Sequence, residues 1–423
     1  MTRFLVIGAF AVWIGCGMIR FVASPPLGHD EAQYALAARD RVEHQPRRWI
    51  YASAGMEVVG APGVLAGGSD RALRVLPMLL GLGLLVAAWR LAVVLGGADA
   101  AAWAVAVLAG TTPLSRFQID LLSDLPAAAC LVAALAILIG ELRRAGGPRW
   151  RVVAIAPLCA AALYLRYGSC IPLAIIGVAT LAFGGLRRQL VVAAAAFALV
   201  VRPSLVHALL VSSTVPPSGG GLATYVAHPV AYLGVLGTVL AVLALAGAWR
   251  DRWLLYATLI AVADVVALGL ETRAHSRYIA LAIVLLVAVG AAVARELGAR
   301  LAAPVRRALA AGCAVAVAAS WSFAIRAAWV ARDHREAGMA ATLAAAEAIT
   351  RDARGRPCTV IGRHTTQLEW YSGCRAAFEP AGRTYVVRDD TGGPDQPALV
   401  PGVSLLHAVN VDVIRASSPA SAD

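Results

Sequence analysis

Two neighbouring carboxylates follow the first long apolar run of the chain. The run covers residues 4–23, and the segment after it reads His29-Asp30-Glu31-Ala32-Gln33-Tyr34. A carboxylate at the edge of a membrane is partly desolvated, which makes it more basic and able to take a proton from an attacking hydroxyl group. Alternatively, Asp30 caps the amphipathic helix predicted after it. A cap explains only one of the two acids, so Asp30 and Glu31 are both candidate catalytic residues.

A second acidic site follows the third apolar run. Asp120 and Asp124 are four residues apart, so on a helix they would share a face, with Arg116 one turn from Asp120. A structural explanation is also available for Asp124, because it can begin a helix that has Pro126 in its first turn. That explanation does not extend to Asp120.

A group of basic and aromatic residues precedes the tenth apolar run. Arginine binds phosphate through two parallel hydrogen bonds and stays charged, so the group suits a lipid-linked phosphate. Anchoring of tyrosine and arginine at the membrane interface is the alternative explanation. The group comprises Arg273, His275, Arg277 and Tyr278, and Arg166 with Tyr167 repeats the pair after the fifth run.

The composition indicates what kind of molecule carries these groups. The chain has 423 residues and no lysine, so its 37 basic residues are all arginine, against 25 acidic residues and a net charge of +12. Hydrophobic residues make up 60% of the chain, and the mean hydropathy is +0.72. This excludes a soluble enzyme, a disordered chain or a disulfide scaffold for most of the length. Nucleic acid is not an expected partner, because the arginines lie mostly between apolar runs rather than in one patch.

Eleven apolar runs are candidate membrane helices, which need roughly 20 residues each. Fourteen arginines lie in one set of connections and five in the opposite set, leaving aside the first loop at 24–71, so the arginine-rich side should be cytoplasmic. The tail then lies outside the inner (plasma) membrane. Asp264 and Arg202 lie inside two runs, and such charges indicate a functional site, a mutual pair or the border of a cavity. The runs cover residues 4–23, 72–95, 100–114, 124–140, 152–166, 169–185, 189–210, 229–248, 253–270, 278–294 and 307–325.

The last part of the chain, residues 326–423, is polar, and we separate it from a transmembrane domain over residues 1–325. Alternating strand and helix signals predict a small extracytoplasmic α/β domain with a disordered end. Cys358 and Cys374 are the only cysteines of this tail, and outside the cytoplasm they can form a disulfide. A zinc site would need more ligands than the nearby His364 supplies. The predicted elements are strands around 358–362, 385–387 and 403–406 and a helix over 365–372.

Together these segments resemble the integral-membrane glycosyltransferases of the GT-C superfamily, in particular its protein O-mannosyltransferase and aminoarabinose-transferase branch. The resemblance covers about residues 1–290 and depends on the order and sidedness of short motifs. The motifs are residues 29–34 followed by Ala37, residues 69–77 before the second run, Ser115-Arg116 leading to residues 123–126, and residues 275–278.

The resemblance implies an inverting transferase that moves a hexosyl or pentosyl group from a polyprenyl-phosphate donor. The acceptor would be a lipid, glycan or protein of the cell envelope, at the outer face of the membrane. Asp30 matches the family's catalytic acid most directly, with Glu31 beside it, and Asp120 or Asp124 would support the acceptor or the base. Arg277 and Tyr278, with their neighbours Arg273, His275 and Arg166, would bind the donor phosphate. No cofactor is required, although Asp30 and Glu31 could ligate a divalent metal.

Two departures from the family leave the acceptor class open. The Lys-Pro-Pro-Leu stretch of some aminoarabinose-type relatives is absent, with Val59-Gly60-Ala61-Pro62 near its place, and the external tail is small. The main alternative is a transporter or flippase of a lipid-linked sugar. Transporters often contain inverted repeats and broken helices at the midplane, whereas no convincing repeat occurs in this sequence. A further alternative is a noncatalytic assembly protein with the tail as a binding module.

Overall fold

A computed structural model describes ten segments of the chain. The described part is mostly helical, with a small sheet near the C-terminus, which confirms the predicted class of polytopic α-helical membrane protein. The segments are residues 2–49, 52–144, 150–184, 187–214, 219–272, 274–362, 364–376, 383–389, 402–408 and 411–416.

Fifteen α-helices occur within these segments. Short 3-10 turns at Trp150–Ala154, Tyr167–Ser169 and Ala248–Arg250 separate some of them. The helices are α1 (Thr2–Ala23), α2 (His29–Val42), α3 (Ala54–Leu65), α4 (Asp70–Ala109), α5 (Thr112–Ser115), α6 (Asp124–Leu142), α7 (Ile155–Leu165), α8 (Cys170–Gly184), α9 (Arg188–Thr214), α10 (Gly221–Ala227), α11 (Pro229–Gly247), α12 (Arg252–Glu271), α13 (Ala280–Ala299), α14 (Ala303–Ala353) and α15 (Thr365–Ser372).

All eleven predicted apolar runs coincide largely with helices. Eight helical segments within the described ranges are long and apolar enough to cross a membrane. Three differences account for the lower number. The run at 189–210 lies in α9, which is not among the eight segments. The runs at 72–95 and 100–114 share α4, and the run at 152–166 forms a shorter apolar helix, Trp150–Leu165.

A glycine breaks α4 where its two predicted runs meet. Gly97 has φ 80° and ψ −179° inside an otherwise continuous helix. Residues with a Cβ rarely adopt this conformation, so the position favours glycine. The two predicted runs therefore survive as the two arms of a kinked α4.

Helix α13 lies at the centre of the bundle, in contact with α4, α6, α11 and α12. Every residue from Ala280 to Val293 is buried. A Cβ added to Gly290 would lie 2.0 Å from the carbonyl oxygen of Leu240, so glycine is required for this close approach of α11. The central position of α13 fixes the loop that precedes it, at 274–279.

Helix α14 runs without a break through the predicted domain boundary at 325/326. A change of composition from apolar to polar does not end a helix, and the alanine-rich stretch at 340–348 has a high helix propensity. Ala345, Ala346 and Ile349 of this second half are buried against residues of the sheet. The tail therefore includes more than half of a helix that begins in the transmembrane domain.

The tail contains a five-stranded mixed sheet, ordered β2-β1-β3-β5-β4. Strand β1 is parallel to β2 and β3, whereas β5 is antiparallel to β3 and β4. Helix α15 connects β1 to β2, which confirms the predicted strand–helix alternation. Strands β2 and β5 were not predicted, and residues 417–423, predicted to be disordered, lie outside the described residues. The strands are β1 (Cys358–Gly362), β2 (Arg375–Ala376), β3 (Arg383–Asp389), β4 (Gly402–Ala408) and β5 (Val411–Ala416).

The tail docks on the first loop through α15. The Tyr371 hydroxyl accepts from the Leu27 backbone N–H at 2.6 Å and donates to Asp70 Oδ2 at 2.8 Å. Thr366 Oγ1 lies 3.0 Å from His29 Nδ1. The tail and the loop that carries the first acidic motif therefore lie on the same side of the helix bundle.

A disulfide joins Cys358 at the start of β1 to Cys374 just after α15. The two cysteines are 16 residues apart, and closing a loop of this size typically adds about 3 kcal/mol to stability. The double variant Cys358→Ser/Cys374→Ser is therefore expected to make the tail more susceptible to proteolysis. Limited proteolysis at increasing temperature measures this, with Cys313→Ser, an exposed free cysteine, as control. Equal cleavage rates of the double variant and the control would contradict the expectation.

Candidate active site

Helix α2 presents its two acids to different surroundings. A helix turns by about 100° between consecutive residues, so Asp30 and Glu31 point in different directions. The helix begins at His29 with Gly28 as its N-cap residue, and the Gly28 backbone N–H donates to Glu31 Oε2 at 2.9 Å, so the carboxylate that caps the helix start is Glu31 rather than Asp30. The Asp30 side chain is 42% exposed, whereas that of Glu31 is 1% exposed.

Asp30 belongs to a cluster of two carboxylates and two guanidinium groups. Arg277 Nη2 lies 2.6 Å from Asp30 Oδ2, and Arg277 Nε lies 3.5 Å from Asp124 Oδ2. Arg166 Nε lies 3.1 Å from Asp124 Oδ1. Asp124 begins α6, Arg166 follows α7 and Arg277 precedes α13, so four separate parts of the chain converge here.

Aromatic rings complete this cluster. Both guanidinium groups lie near the Tyr278 ring, with the Arg166 and Arg277 Cζ atoms 5.0 and 5.2 Å from its centroid. The His275 ring meets the Tyr278 ring edge-on at 5.2 Å. Such cation–π contacts hold guanidinium groups in place. Four of the five predicted phosphate-binding residues are therefore together, and the fifth, Arg273, lies outside the described residues.

Charge and shape make this cluster a candidate anion site. Burial by itself would lower the pKa of the Arg277 guanidinium, but Asp124 and Asp30 outweigh burial and raise it above its usual value. Arg277 therefore stays cationic at any physiological pH. A small cleft adjoins the cluster, and its polar lining includes Asp124, Arg166, Ser169, Asp264, Arg277 and Tyr278.

Glu31 and Asp120 belong to a second cluster, which is buried. Arg335 Nη1 contacts both acids, at 2.8 Å from Glu31 Oε2 and 3.3 Å from Asp120 Oδ1. Arg74 Nη2 lies 3.2 Å from Glu31 Oε1, and Arg20 Nη2 lies 2.6 Å from Asp120 Oδ1. The side chains of Glu31, Asp120 and Arg74 are each at most 1% exposed. We refer to these five residues as the buried ion cluster.

The prediction that Asp120 and Asp124 share a helix face is wrong. The chain makes turns between α5 and α6, so the two acids enter different clusters. Asp120 pairs with Arg20 and Arg335, and Arg116, its predicted partner, instead accepts a hydrogen bond from Arg20 through its carbonyl group. Burial raises the pKa of the Asp120 carboxyl, but these two arginines outweigh it and lower the pKa to about 2.

Three arginines of the buried ion cluster received no role from the sequence. Arg20 had a detectable signal, because a charge inside an apolar run marks either function or a paired partner. Arg74 belongs to the motif at 69–77 that supports the family resemblance. Arg335 had no local signal, since it approaches Glu31 only through the packing of α14 beside the first loop.

The fold has relatives among solved structures, although no protein-family model and no curated protein sequence matches the chain. ArnT from Cupriavidus metallidurans bound to undecaprenyl phosphate aligns with a TM-score of 0.69 at 16% identity over 97% of both chains, and its apo state with 0.70. The oligosaccharyltransferase AglB from Archaeoglobus fulgidus, in complex with an inhibitory peptide and a dolichol-phosphate, gives 0.60 at 13% identity. That alignment covers 88% of this chain and 64% of AglB. This chain shares the fold of ArnT and AglB.

The geometry of the cluster limits how it could bind a metal ion. No group of three or more His, Cys, Asp or Glu side chains within the described ranges could hold a metal ion. Asp30 and Asp124 both contact Arg277, so a divalent ion could bind both carboxylates only if that guanidinium moved away. The described side chains of the cluster therefore present the half-exposed carboxylate of Asp30 and the two guanidinium groups of Arg166 and Arg277 to a ligand.

Proposed function

We propose that the protein is a glycosyltransferase that moves a sugar from a polyprenyl-phosphate donor to a cell-envelope acceptor. The observation that carries this proposal is the 2.6 Å contact between Asp30 and Arg277 beside a cleft that also holds Asp124 and Arg166. ArnT with undecaprenyl phosphate and AglB with a dolichol-phosphate, two proteins of similar fold, support a lipid-phosphate ligand. A shared fold does not define a function, so the argument depends on the site.

In this proposal the donor phosphate binds to Arg166 and Arg277. Guanidinium groups form strong charge-assisted hydrogen bonds with phosphate oxygens, and Tyr278 keeps the two groups oriented. Arg277 forms an ion pair with Asp30 when no donor is bound. A phosphate competes for the same guanidinium group, so donor binding would release Asp30 for proton transfer. Asp124 remains beside both arginines and holds them in position.

Transfer then proceeds as a single inverting displacement. The acceptor hydroxyl oxygen bonds to the anomeric carbon, the bond from that carbon to the phosphate oxygen breaks, and the electron pair stays on the polyprenyl phosphate. Asp30 takes the hydroxyl proton as general base. The arginines stabilise the charge that develops on the phosphate, so the leaving group needs no proton. Hydrolases differ because they protonate a poorer leaving group with a second carboxyl group.

Glu31 takes a supporting role in this mechanism, whereas the sequence placed it beside Asp30 as a second catalytic acid. Its oxygens accept from the Gly28 backbone, Arg74 and Arg335, and its side chain is only 1% exposed. A carboxylate occupied in this way is poorly placed to take a substrate proton. We infer that Glu31 fixes the start of α2 and thereby the position of Asp30.

The proposed location is the inner (plasma) membrane, with the site facing outward. The chain is a multi-pass helical membrane protein, and the distribution of its arginines predicts the orientation. The tail and the Asp30 loop then face the cell envelope, where the acceptor would be a lipid, glycan or protein. A hexosyl or a pentosyl donor fits the chemistry equally well.

The proposal is tested with purified protein in liposomes. The donor is a polyprenyl-phosphate sugar labelled in the sugar, and the acceptor is an extract of envelope lipids, glycans and proteins. We expect labelled acceptor and free polyprenyl phosphate to form in equal amounts. Movement of labelled donor across the bilayer without labelled acceptor would instead identify a flippase.

Replacing Arg277 with alanine is expected to weaken donor binding. The variant loses the charge-assisted bonds to phosphate, which corresponds to a rise of about 10- to 100-fold in the KM for the donor. Arg277→Lys should recover part of this loss, because it keeps the charge and loses the two-pronged geometry. Steady-state kinetics at varied donor concentration gives both values.

The matched control for Arg277 is Arg300→Ala. Arg300 lies just after the opposite end of α13, is 66% exposed and pairs only weakly with Glu296 across one helical turn. Its removal should leave the donor KM unchanged. A donor KM equal in Arg277→Ala and wild type would remove Arg277 from the phosphate site.

A further inference from the structure

Helix α12 carries a carboxylate that the proposed mechanism does not use. Asp264 is 1% exposed, and neither of its oxygens has a hydrogen-bond partner within the described part of the chain. The sequence offered Arg202, on α9, as a partner for this intramembrane acid. Arg202 is exposed, and no ion pair between the two is formed. Asp264 therefore has no structural role of the kind that Glu31 and Asp120 have.

Asp264 lines the same cleft as the proposed phosphate site. The cleft is bounded on one side by Asp124, Arg166 and Arg277, and Asp264 faces it from α12. In this structure its enclosed volume is about 10 Å³, room for one water molecule, so a sugar enters only when the lining side chains move apart. Most other lining residues are apolar, such as Leu131 and Leu281. A buried polar group without a partner destabilises the folded protein. A ligand that donates hydrogen bonds into the cleft would remove that destabilisation.

The depth of Asp264 restricts what this ligand can be. Asp264 lies seven residues before Glu271 at the end of α12, or about 10 Å along the helix axis. A polyprenyl chain has no hydrogen-bond donors, so it would leave the carboxylate unpaired. The acceptor would approach from the loop side, where Asp30 is half-exposed. The part of the donor that remains is its sugar, which carries hydroxyl groups and in some sugars an ammonium group.

We propose that Asp264 binds hydrogen-bond-donating groups of the donor sugar, beside the phosphate site formed by Arg166 and Arg277. This inference rests on the proposed function and adds to it a residue that distinguishes a sugar-bearing lipid from bare polyprenyl phosphate. A hydroxyl group donates one hydrogen bond to the carboxylate, and an ammonium group would bind more strongly because it is charged. Asp264 is thus a specificity residue and takes no part in bond breaking.

The test compares the binding of two lipids to the full-length protein in nanodiscs. The probes are undecaprenyl phosphate alone and undecaprenyl phosphate esterified to glucose or to an amino sugar. Wild type should bind the sugar-bearing lipids more tightly than the bare lipid. Asp264→Leu, which has nearly the same shape, should weaken binding of the sugar-bearing lipids by about tenfold or more and leave the bare lipid within twofold. Asp264→Asn should lose most on the amino sugar.

Thr258→Val is the matched control. Thr258 is buried in the same helix, and its hydroxyl donates only to the Leu254 carbonyl oxygen at 2.9 Å. The Thr258→Val variant should bind all the lipid probes as tightly as wild type does. Equal effects of Asp264→Leu on bare and sugar-bearing lipids, or no effect on either, would overturn the sugar contact while the proposed function stands. If wild type binds none of the lipids, the proposed function itself fails.

Discussion

Replacing Asp30 with asparagine is expected to reduce sugar transfer by at least about 100-fold, the factor typical of a lost general base. Asparagine has nearly the same shape as aspartate and cannot take a proton from the acceptor hydroxyl. The amount of folded protein should not change. Asp30 is 42% exposed and does not cap α2, and its partner Arg277 keeps Asp124 as a second carboxylate. The measurement is the transfer rate at saturating donor and acceptor.

Glu43→Gln is the matched control for this variant. Glu43 is an exposed acid at the other end of the same helix, so its charge can be removed without touching either cluster. Its transfer rate should equal that of wild type. Undiminished transfer by Asp30→Asn at a normal protein level would refute the assignment of Asp30 as the base.

Replacing Glu31 with alanine is expected to give the largest loss of stability, about 3–5 kcal/mol, as found when one partner of a buried ion pair is removed. Arg74, which is fully buried, and Arg335 would both lose this carboxylate. The Gly28 and Leu121 backbone N–H groups would lose their acceptor as well. Thermal unfolding in detergent and the yield of folded protein measure the effect.

Glu31→Gln separates the supporting role from a catalytic one. Glutamine keeps an oxygen that can accept from the backbone and loses the charge, so its loss of stability should be smaller than that of alanine. If Glu31 supports α2, the transfer rate per folded molecule should remain close to wild type. A rate as low as that of Asp30→Asn would mean that Glu31 is catalytic, as the sequence predicted.

The two variants test different parts of one helix. Asp30 and Glu31 are adjacent in sequence, yet one contacts a residue before α13 and the other contacts residues of α4 and α14. We expect activity and stability to respond separately for this reason. The distinction depends on the direction of each side chain around α2, which short motifs do not encode.

Most of the helical architecture followed from hydropathy. A membrane helix forms all its backbone hydrogen bonds within its own segment and needs only an apolar surface of sufficient length. A local property of the sequence therefore predicts it. The kink at Gly97 changed how the runs at 72–95 and 100–114 are connected, because helix continuity depends on backbone conformation rather than on hydropathy. Helix α14 continues through residue 325 for the same reason, because the backbone stays helical where the hydropathy changes.

The tail was predictable in part. Short apolar runs predicted β1, β3 and β4, and the segment after the first of them predicted α15; all four are local features. Strand β2 has only two residues, so no periodic pattern could predict it. The contact of Tyr371 with Leu27 and Asp70 joins segments far apart in the chain, and it depends on how the tail packs against the first loop.

The sequence by itself determined which chemical groups lie near the membrane edge and that a helical membrane protein carries them. Residue type and hydropathy are local, so they could nominate the segments around Asp30, Asp124 and Arg277 as separate candidate sites, and the family resemblance joined them into one. Only the tertiary structure decided the partners: it separated Asp120 from Asp124 and left Asp264 without a partner in the described part of the chain. Charge pairing in a buried environment depends on distances of a few ångströms between distant segments, and packing alone sets those distances.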